Sequence, residues 1–318
     1  MCGIIGFMEK RPGGQRPIGQ TLLAMLQALS CRGPDSAGVA LFGPRRASWV
    51  LQVKLPEHAG AADPTGAIIE TLHGLGGVAR HERLGAYLRV EMTGTTDPSL
   101  LEDQLLARAP GSELVSLGHQ LEIVKQVGSP DQLEQMYGIS RRSGTHGIGH
   151  TRLSTESKVD LSHSQPFWAH GVPDLATVHN GHVTNYHKLH RHYEQRGYRF
   201  FTENDSEVIG VYLRDRMAAG LSLADALRSS LDDFDGSFSY LAASGTCLAF
   251  VKDRFGFKPL MVAETEDFVA IATEEIALRQ ALGRGFVAVE PPPGAMRVWP
   301  VEQRIAAQSL GVCHERHQ

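Results

Sequence analysis

The chain has 318 residues, 42% of them hydrophobic and 21% charged, a globular composition that excludes collagen-like, low-complexity and extensively disordered sequence. The balance of 31 basic against 35 acidic side chains, a net charge of −4, argues against a broad basic surface for nucleic acid. No apolar run approaches the roughly 18 residues of a membrane span, and Met1-Cys2, an apolar strand pattern and then Glu9-Lys10-Arg11 lack the basic-then-apolar order of a signal peptide, so a soluble cytoplasmic protein is expected.

Residues 3–8 read as a buried strand. Pro17 opens a helix whose Ile18, Leu22, Met25, Leu26 and Leu29 share one face, and Arg32-Gly33-Pro34-Asp35 breaks it. Ser36 to Phe42 and Trp49 to Leu55, flanking Gly43-Pro44-Arg45-Arg46, predict a hairpin. From about 60 to 142 the texture changes: a helix near 66–74, a strand at 87–92, a helix at 98–109, strands at 113–117 and 121–127, and a helix begun by Ser129-Pro130. This order predicts a small α/β unit inserted into a larger domain spanning 2–310, with a polar tail at 311–318. After Gly144, short strands and glycine-rich turns return, with helices near 184–196, 205–217 and 223–231 and strands through most of 235–273. Strands and helices in runs, without steady alternation, favour a layered α+β fold over a doubly wound sheet.

Four cysteines, Cys2, Cys31, Cys247 and Cys313, form no Cys-x-x-Cys pair and suggest no disulfide framework. Cys247 lies in an apolar run and reads as a small buried hydrophobe. Cys2 differs, because removal of Met1 would leave a thiol and a free α-amine on one residue. With a reference pKa of about 7.7–8.0 that amine is suited to general-base work at neutral pH, so nucleophile and base arrive together.

Three further groups offer chemistry, each with a blander alternative. Gly149-His150-Thr151-Arg152 ends a strand and projects a guanidinium suited to a substrate carboxylate, or simply a surface salt bridge. His179-Asn180-Gly181 follows a strand and precedes a helix, so an amide and a backbone N–H could converge on an oxyanion, or form an ordinary turn. Asn204-Asp205-Ser206-Glu207 starts a helix, where Asp205 suits either a substrate ammonium or the helix N-terminus.

Taken in order, Cys2-Gly3-Ile4-Ile5-Gly6, Arg32-Gly33-Pro34-Asp35-Ser36-Ala37-Gly38, Gly149-His150-Thr151-Arg152, Gln165-Pro166-Phe167, His179-Asn180-Gly181, Asn204-Asp205-Ser206-Glu207 and Asp253-Arg254-Phe255-Gly256-Phe257-Lys258-Pro259-Leu260 make the chain resemble the class II glutamine amidotransferase domain, an N-terminal-nucleophile hydrolase. The resemblance covers about 2–55 and 144–280 and implies a four-layer αββα sandwich. It implies Cys2 as nucleophile with its own α-amine as base, Arg152 on the glutamine α-carboxylate, and Asp205 on the α-ammonium. Asn180 with Gly181 would be the oxyanion hole, Thr155 a substrate contact, and Arg32, Gly33 and Asp35 part of a loop packed beside the nucleophile. Asp253 to Leu260 is taken as structural.

Two departures stand out. Cys2 and Arg152 lie 152 − 2 = 150 positions apart, more than in compact relatives, with the excess at 60–142. No fused acceptor-using synthase domain is expected, so the ammonia is expected to pass to separate subunits. A chain of this organisation looks most like the small subunit of N-methylglutamate synthase, whose other subunits resemble pieces of glutamate synthase. Glutamine is the expected substrate, with no cofactor, no metal, no nucleic acid and no membrane partner. An amidase for another amide, and a catalytically silent regulatory or scaffold subunit, remain alternatives.

Two patterns are set aside. Gly74-Leu75-Gly76-Gly77-Val78-Ala79 fits G-x-G-x-x-A but lacks the strand before it that a dinucleotide site needs. Nine of the 15 histidines fall between His146 and His192, yet no cysteine or carboxylate set joins them, so a polar helix face is expected there instead of a metal site.

Overall fold

The computed structural model describes residues 2–10, 17–56, 63–94, 97–154 and 158–301. Thr155, Cys313 and the tail at 311–318 lie outside the described residues. The first elements are β1 (Gly3–Glu9), α1 (Ile18–Ala28), β2 (Ser36–Phe42), β3 (Trp49–Lys54), α2 (Thr65–Leu75), β4 (Gly77–Leu84), β5 (Tyr87–Thr93), α3 (Pro98–Arg108), β6 (Glu113–Gly118) and β7 (Leu121–Val127). Next come α4 (Pro130–Tyr137), β8 (His146–Arg152), β9 (Phe167–Trp168), β10 (Leu175–Val183), α5 (Tyr186–Gln195), α6 (Asp205–Ala218) and α7 (Leu223–Asp233). Then β11 (Gly236–Ser244), β12 (Cys247–Lys252), β13 (Met261–Glu264), β14 (Phe268–Ala272), α8 (Glu275–Leu282), β15 (Ala288–Val289) and β16 (Met296–Pro300) follow.

Strand alternation builds the layers. On β11, Leu241 and Ala243 join a core with Ile4, Ile5 and Ile148, while Tyr240 and Ala242 face the other way and pack with Val208 and Tyr212 of α6. The five-stranded sheet β16-β12-β11-β10-β9 therefore lies between α5–α7 and the seven-stranded sheet β15-β13-β14-β1-β8-β2-β7. On the far side, α1 packs on β1 and β8 and against α8. The result is the four-layer αββα sandwich that the resemblance implies. The two sheets approach closely at Gly6, where a Cβ would sit 3.1 Å from the Leu241 side chain.

A third sheet, β4-β5-β3-β6, carries α2 and α3. It overturns the expected hairpin of Ser36–Phe42 with Trp49–Leu55: β2 pairs with β7 and β8, and β3 pairs with β5 and β6. The loop between β2 and β3 bonds elsewhere, with Gly43 N–H donating to Gln120 O and Arg46 N–H to His119 O, which brings β7 to the place beside β2. Nor is 60–142 a self-contained insertion. Its β7 belongs to the main sheet, its α4 packs on α1, and the third sheet borrows β3 from outside the segment. The buried pairing of Arg89 on β5 with Glu122 on β7 (3.1 Å) fastens the two sheets. Strands β4, β15 and β16 and helix α8 lie outside the elements that the sequence pattern predicts. Among the described residues no helix is long and apolar enough to cross a membrane.

Candidate active site

Cys2 stands at the head of β1, and the pairing of Gly3 with Thr151 places it beside the end of β8, where Arg152 lies. Glycine is required at position 3 because a Cβ there would meet Thr151 Oγ1 at 2.7 Å and Leu29 at 3.0 Å. Arg32 Nε donates to the Cys2 carbonyl (3.4 Å), and its guanidinium pairs with Glu274, so the Cys2 backbone is bonded to a side chain that is itself fixed at the start of α8. The loop through Gly33 and Asp35 braces β8: a Cβ on Gly33 would lie 2.4 Å from Arg152 N, and Asp35 accepts the Ser154 N–H at 2.7 Å.

The half-buried Cys2 thiol has a raised pKa, chiefly because burial disfavours the thiolate. Leu153 O, 3.8 Å from Sγ, and the nearby Arg152 charge oppose that shift, while Asp205 adds to it. Arg152 and Asp205 therefore each lie within electrostatic reach of Cys2. Arg152 is buried, donating through Nη1 to Lys158 O (2.8 Å) and through Nη2 to Ser154 Oγ (3.4 Å).

Asn180 and Gly181 do not end their strand as expected. They sit within β10, paired with Ser239 and Phe238, and the strand continues to Val183 before Asn185 caps α5. Gly181 adopts φ 138°, and a Cβ there would lie 2.2 Å from Ser237 O, so the local bend of the strand demands glycine. Asn180 is buried, and among the described residues its Nδ2 has no partner. A buried amide donor left unmatched is costly, and this one lies on a strand that packs against β1. Asp205 is the first residue of α6, whose N-cap is Asn204; its Oδ2 accepts the Val183 N–H at 2.9 Å.

A polar network joins these strands. His150 Nε2 donates to His179 O (3.1 Å), and Gln165 receives the His179 N–H (2.6 Å) while donating to His179 O (3.2 Å) and Ser206 Oγ (3.0 Å). His179 Nδ1 lies 2.9 Å from Ser206 Oγ and 3.7 Å from Asp205 Oδ1. Burial pushes His150 down to about 3 and lowers His179, so both imidazoles are neutral at physiological pH.

A family model described as a glutamine amidotransferase domain matches residues 150–280. The chain is 34% identical over 312 residues to a putative glutamine amidotransferase of Methanothermobacter thermautotrophicus, covering 95% of this chain and all of that one. The chain belongs to the class II glutamine amidotransferases. This enzyme is also 32% identical to the glutamine amidotransferase-like protein GlxB of Rhizobium meliloti, across 94% of its own length and 98% of the relative's. Its fold matches the B. subtilis glutamine phosphoribosylpyrophosphate amidotransferase complexed with ADP and GMP, with a TM-score of 0.61 at 20% identity over 93% of this chain. The amidotransferase spans about half the length of that structure, 47%.

The structure also places residues to which sequence reasoning gave no role. Gln165 and Ser206 stood inside quoted motifs, and their bonds to His179 emerge only from the packing of β10 against α6. Glu274, the partner of Arg32, carried no signal. Among the described residues, no group of three or more His, Cys, Asp or Glu side chains is placed to hold a metal ion.

Proposed function

We propose that this amidotransferase hydrolyses the side-chain amide of glutamine at Cys2 and passes ammonia to separate synthase subunits of the N-methylglutamate synthase or glutamate synthase type. The observation that carries the reading is the convergence of a thiol, a buried guanidinium and a carboxylate around the head of β1, with the unmatched Asn180 amide on the facing strand β10. Arg152 and Asp205 bind the α-carboxylate and α-ammonium, a pair of opposite charges that selects a free amino acid over other amides.

Once Met1 is removed, the Cys2 α-amine takes the thiol proton and the sulfur attacks the amide carbon. The oxyanion is met by Asn180 Nδ2 and the Gly181 N–H, and the amine returns its proton to the departing nitrogen, releasing ammonia. Water then hydrolyses the γ-glutamyl thioester, giving glutamate and the free thiol, so that glutamine and water become glutamate and ammonia. Thr155 is retained as a substrate contact.

Ammonia is largely protonated at neutral pH and lost as a nucleophile, which favours hydrolysis next to a docked acceptor. The third sheet, with the exposed side chains of Arg80, His81 and Arg83 on its edge strand β4, is the proposed docking surface. Ammonia release from glutamine by wild type and by Cys2→Ala, with and without the subunits that co-purify from native extract, tests the reading. Equal release by wild type and variant would refute it.

A further inference from the structure

Lys125 on β7 is enclosed, 2% exposed, yet among the described residues it makes no direct ion pair. Its Nζ donates to the backbone carbonyl of Ser164 at 2.9 Å and lies 5.2 Å from the centre of the Phe167 ring. The carboxylates of Glu113, Glu207 and Asp160 act on it only through space. Burying an ammonium in this way is expensive, and an apolar side chain of similar length would fill the same volume without that penalty. The residue it grips is therefore of interest.

Ser164 belongs to the irregular segment 158–165, which touches each part of the glutamine site. At one end Lys158 O receives Arg152 Nη1 (2.8 Å). In the middle His163 O receives Nδ2 of Asn204 (3.3 Å), the cap of the helix that begins with Asp205. At the other end Gln165 holds His179 and Ser206. The segment has no ladder of its own and is held by internal turns at Asp160, with His163 N–H donating to Asp160 Oδ1 (2.8 Å) and Ser164 Oγ to Asp160 O (2.6 Å). Its tethers to the body of the protein on the opposite side are Lys125 and the Lys54–Ser162–Glu113 group, in which Ser162 Oγ donates to Glu113 at 2.6 Å.

We propose that Lys125 is a positioning residue for glutamine binding: it fixes the segment 158–165 and through it the spacing between Arg152 and Asp205. It touches no reacting atom. The inference rests on the reading of Arg152 and Asp205 as the two ends of the amino-acid site. A displaced segment would misplace the groups that meet the two charges of glutamine while leaving Cys2 and Asn180 on their strands. Binding should then suffer more than turnover.

The test uses the full-length protein with Lys125→Met and Lys125→Gln, the second keeping an N–H donor for Ser164 O. Lys125→Met should raise the KM for glutamine about tenfold, the scale of one charge-assisted hydrogen bond, with kcat within about threefold of wild type. Lys125→Gln should fall between the two. Alkylation of Cys2 separates positioning from general damage: a diazo-ketone analogue of glutamine should label Lys125→Met more slowly than wild type, while iodoacetamide, which carries no amino-acid group, labels both at the same rate. An unchanged KM in whichever variant folds overturns the proposal, as does equal slowing with both reagents. Failure of the underlying site reading is seen separately, in wild type itself, as an absence of labelling by the glutamine analogue.

Discussion

Asp205 Oδ2 accepts the backbone N–H of Val183 at 2.9 Å, tying the first residue of α6 to the last residue of β10, the strand that carries Asn180 and Gly181. One carboxylate thus acts on the Cys2 thiol and anchors the strand that carries the proposed oxyanion donors. Substitutions there should separate charge from anchoring. Asp205→Asn keeps an oxygen for Val183 and removes the charge, and should lower glutaminase kcat/KM by roughly ten- to a hundredfold, mainly through KM. Arg152→Ala should cost at least as much. Steady-state kinetics with unchanged far-UV circular dichroism would support both assignments, and wild-type kinetics in either variant would remove that residue from the site.

Asn180→Ala should act on the other kinetic parameter. Its Nδ2 is unmatched among the described residues, so removing it breaks no ground-state hydrogen bond. Turnover should drop by about 10² to 10³ with little change in glutamine affinity, as for the loss of one oxyanion-hole donor. A variant that loses affinity and keeps turnover would place Asn180 in ground-state binding instead.

Arg89 joins the third sheet to the main one. Its guanidinium is nearly buried and contacts Glu122 at 3.1 Å and Glu91 at 2.7 Å. Removing one member of such a group leaves buried charge without its partner, and Arg89→Ala should destabilise the protein by about 3 kcal/mol. Urea unfolding checks this, and a change below about 1 kcal/mol would mean that the sheets are held by apolar packing alone.

Acid sensitivity should arise in part from buried neutral histidines. Burial lowers His146 to about 4 and His150 to about 3, below the usual 6.5. Below pH 6.5 the unfolded chain takes up protons that the folded chain refuses, so stability is lost as the pH falls from 6.5 towards 4. His146→Gln removes one such group, and its stability should fall less steeply than wild type between pH 6.5 and 4.5. Parallel curves would show that His146 protonates freely in the folded state.

The sequence made the site more legible than the sheet pairing around it. Cys2, Arg152 and Asp205 are marked by residue type at the ends of strongly patterned elements, and the layered α+β class follows from runs of strands and helices. Pairing was harder, because β2 and β3 are neighbours in sequence and the contest between β3 and β7 for the place beside β2 is decided by long-range bonds at Gln120 and His119. For the same reason nothing local marks Lys125, whose partner at Ser164 is 39 residues away. Strand β4 was hidden because only its partial packing on β5, and no clean alternation, distinguishes Gly77 to Leu84.

The central claim is that Cys2 is the nucleophile, and one mass measurement addresses it most directly. The protein is treated with a diazo-ketone analogue of glutamine, and its intact mass and peptides are read. The account predicts a chain lacking Met1, one label per chain, and that label on Cys2. Retention of Met1, or stoichiometric labelling of the exposed Cys31 or the buried Cys247 in place of Cys2, would contradict it.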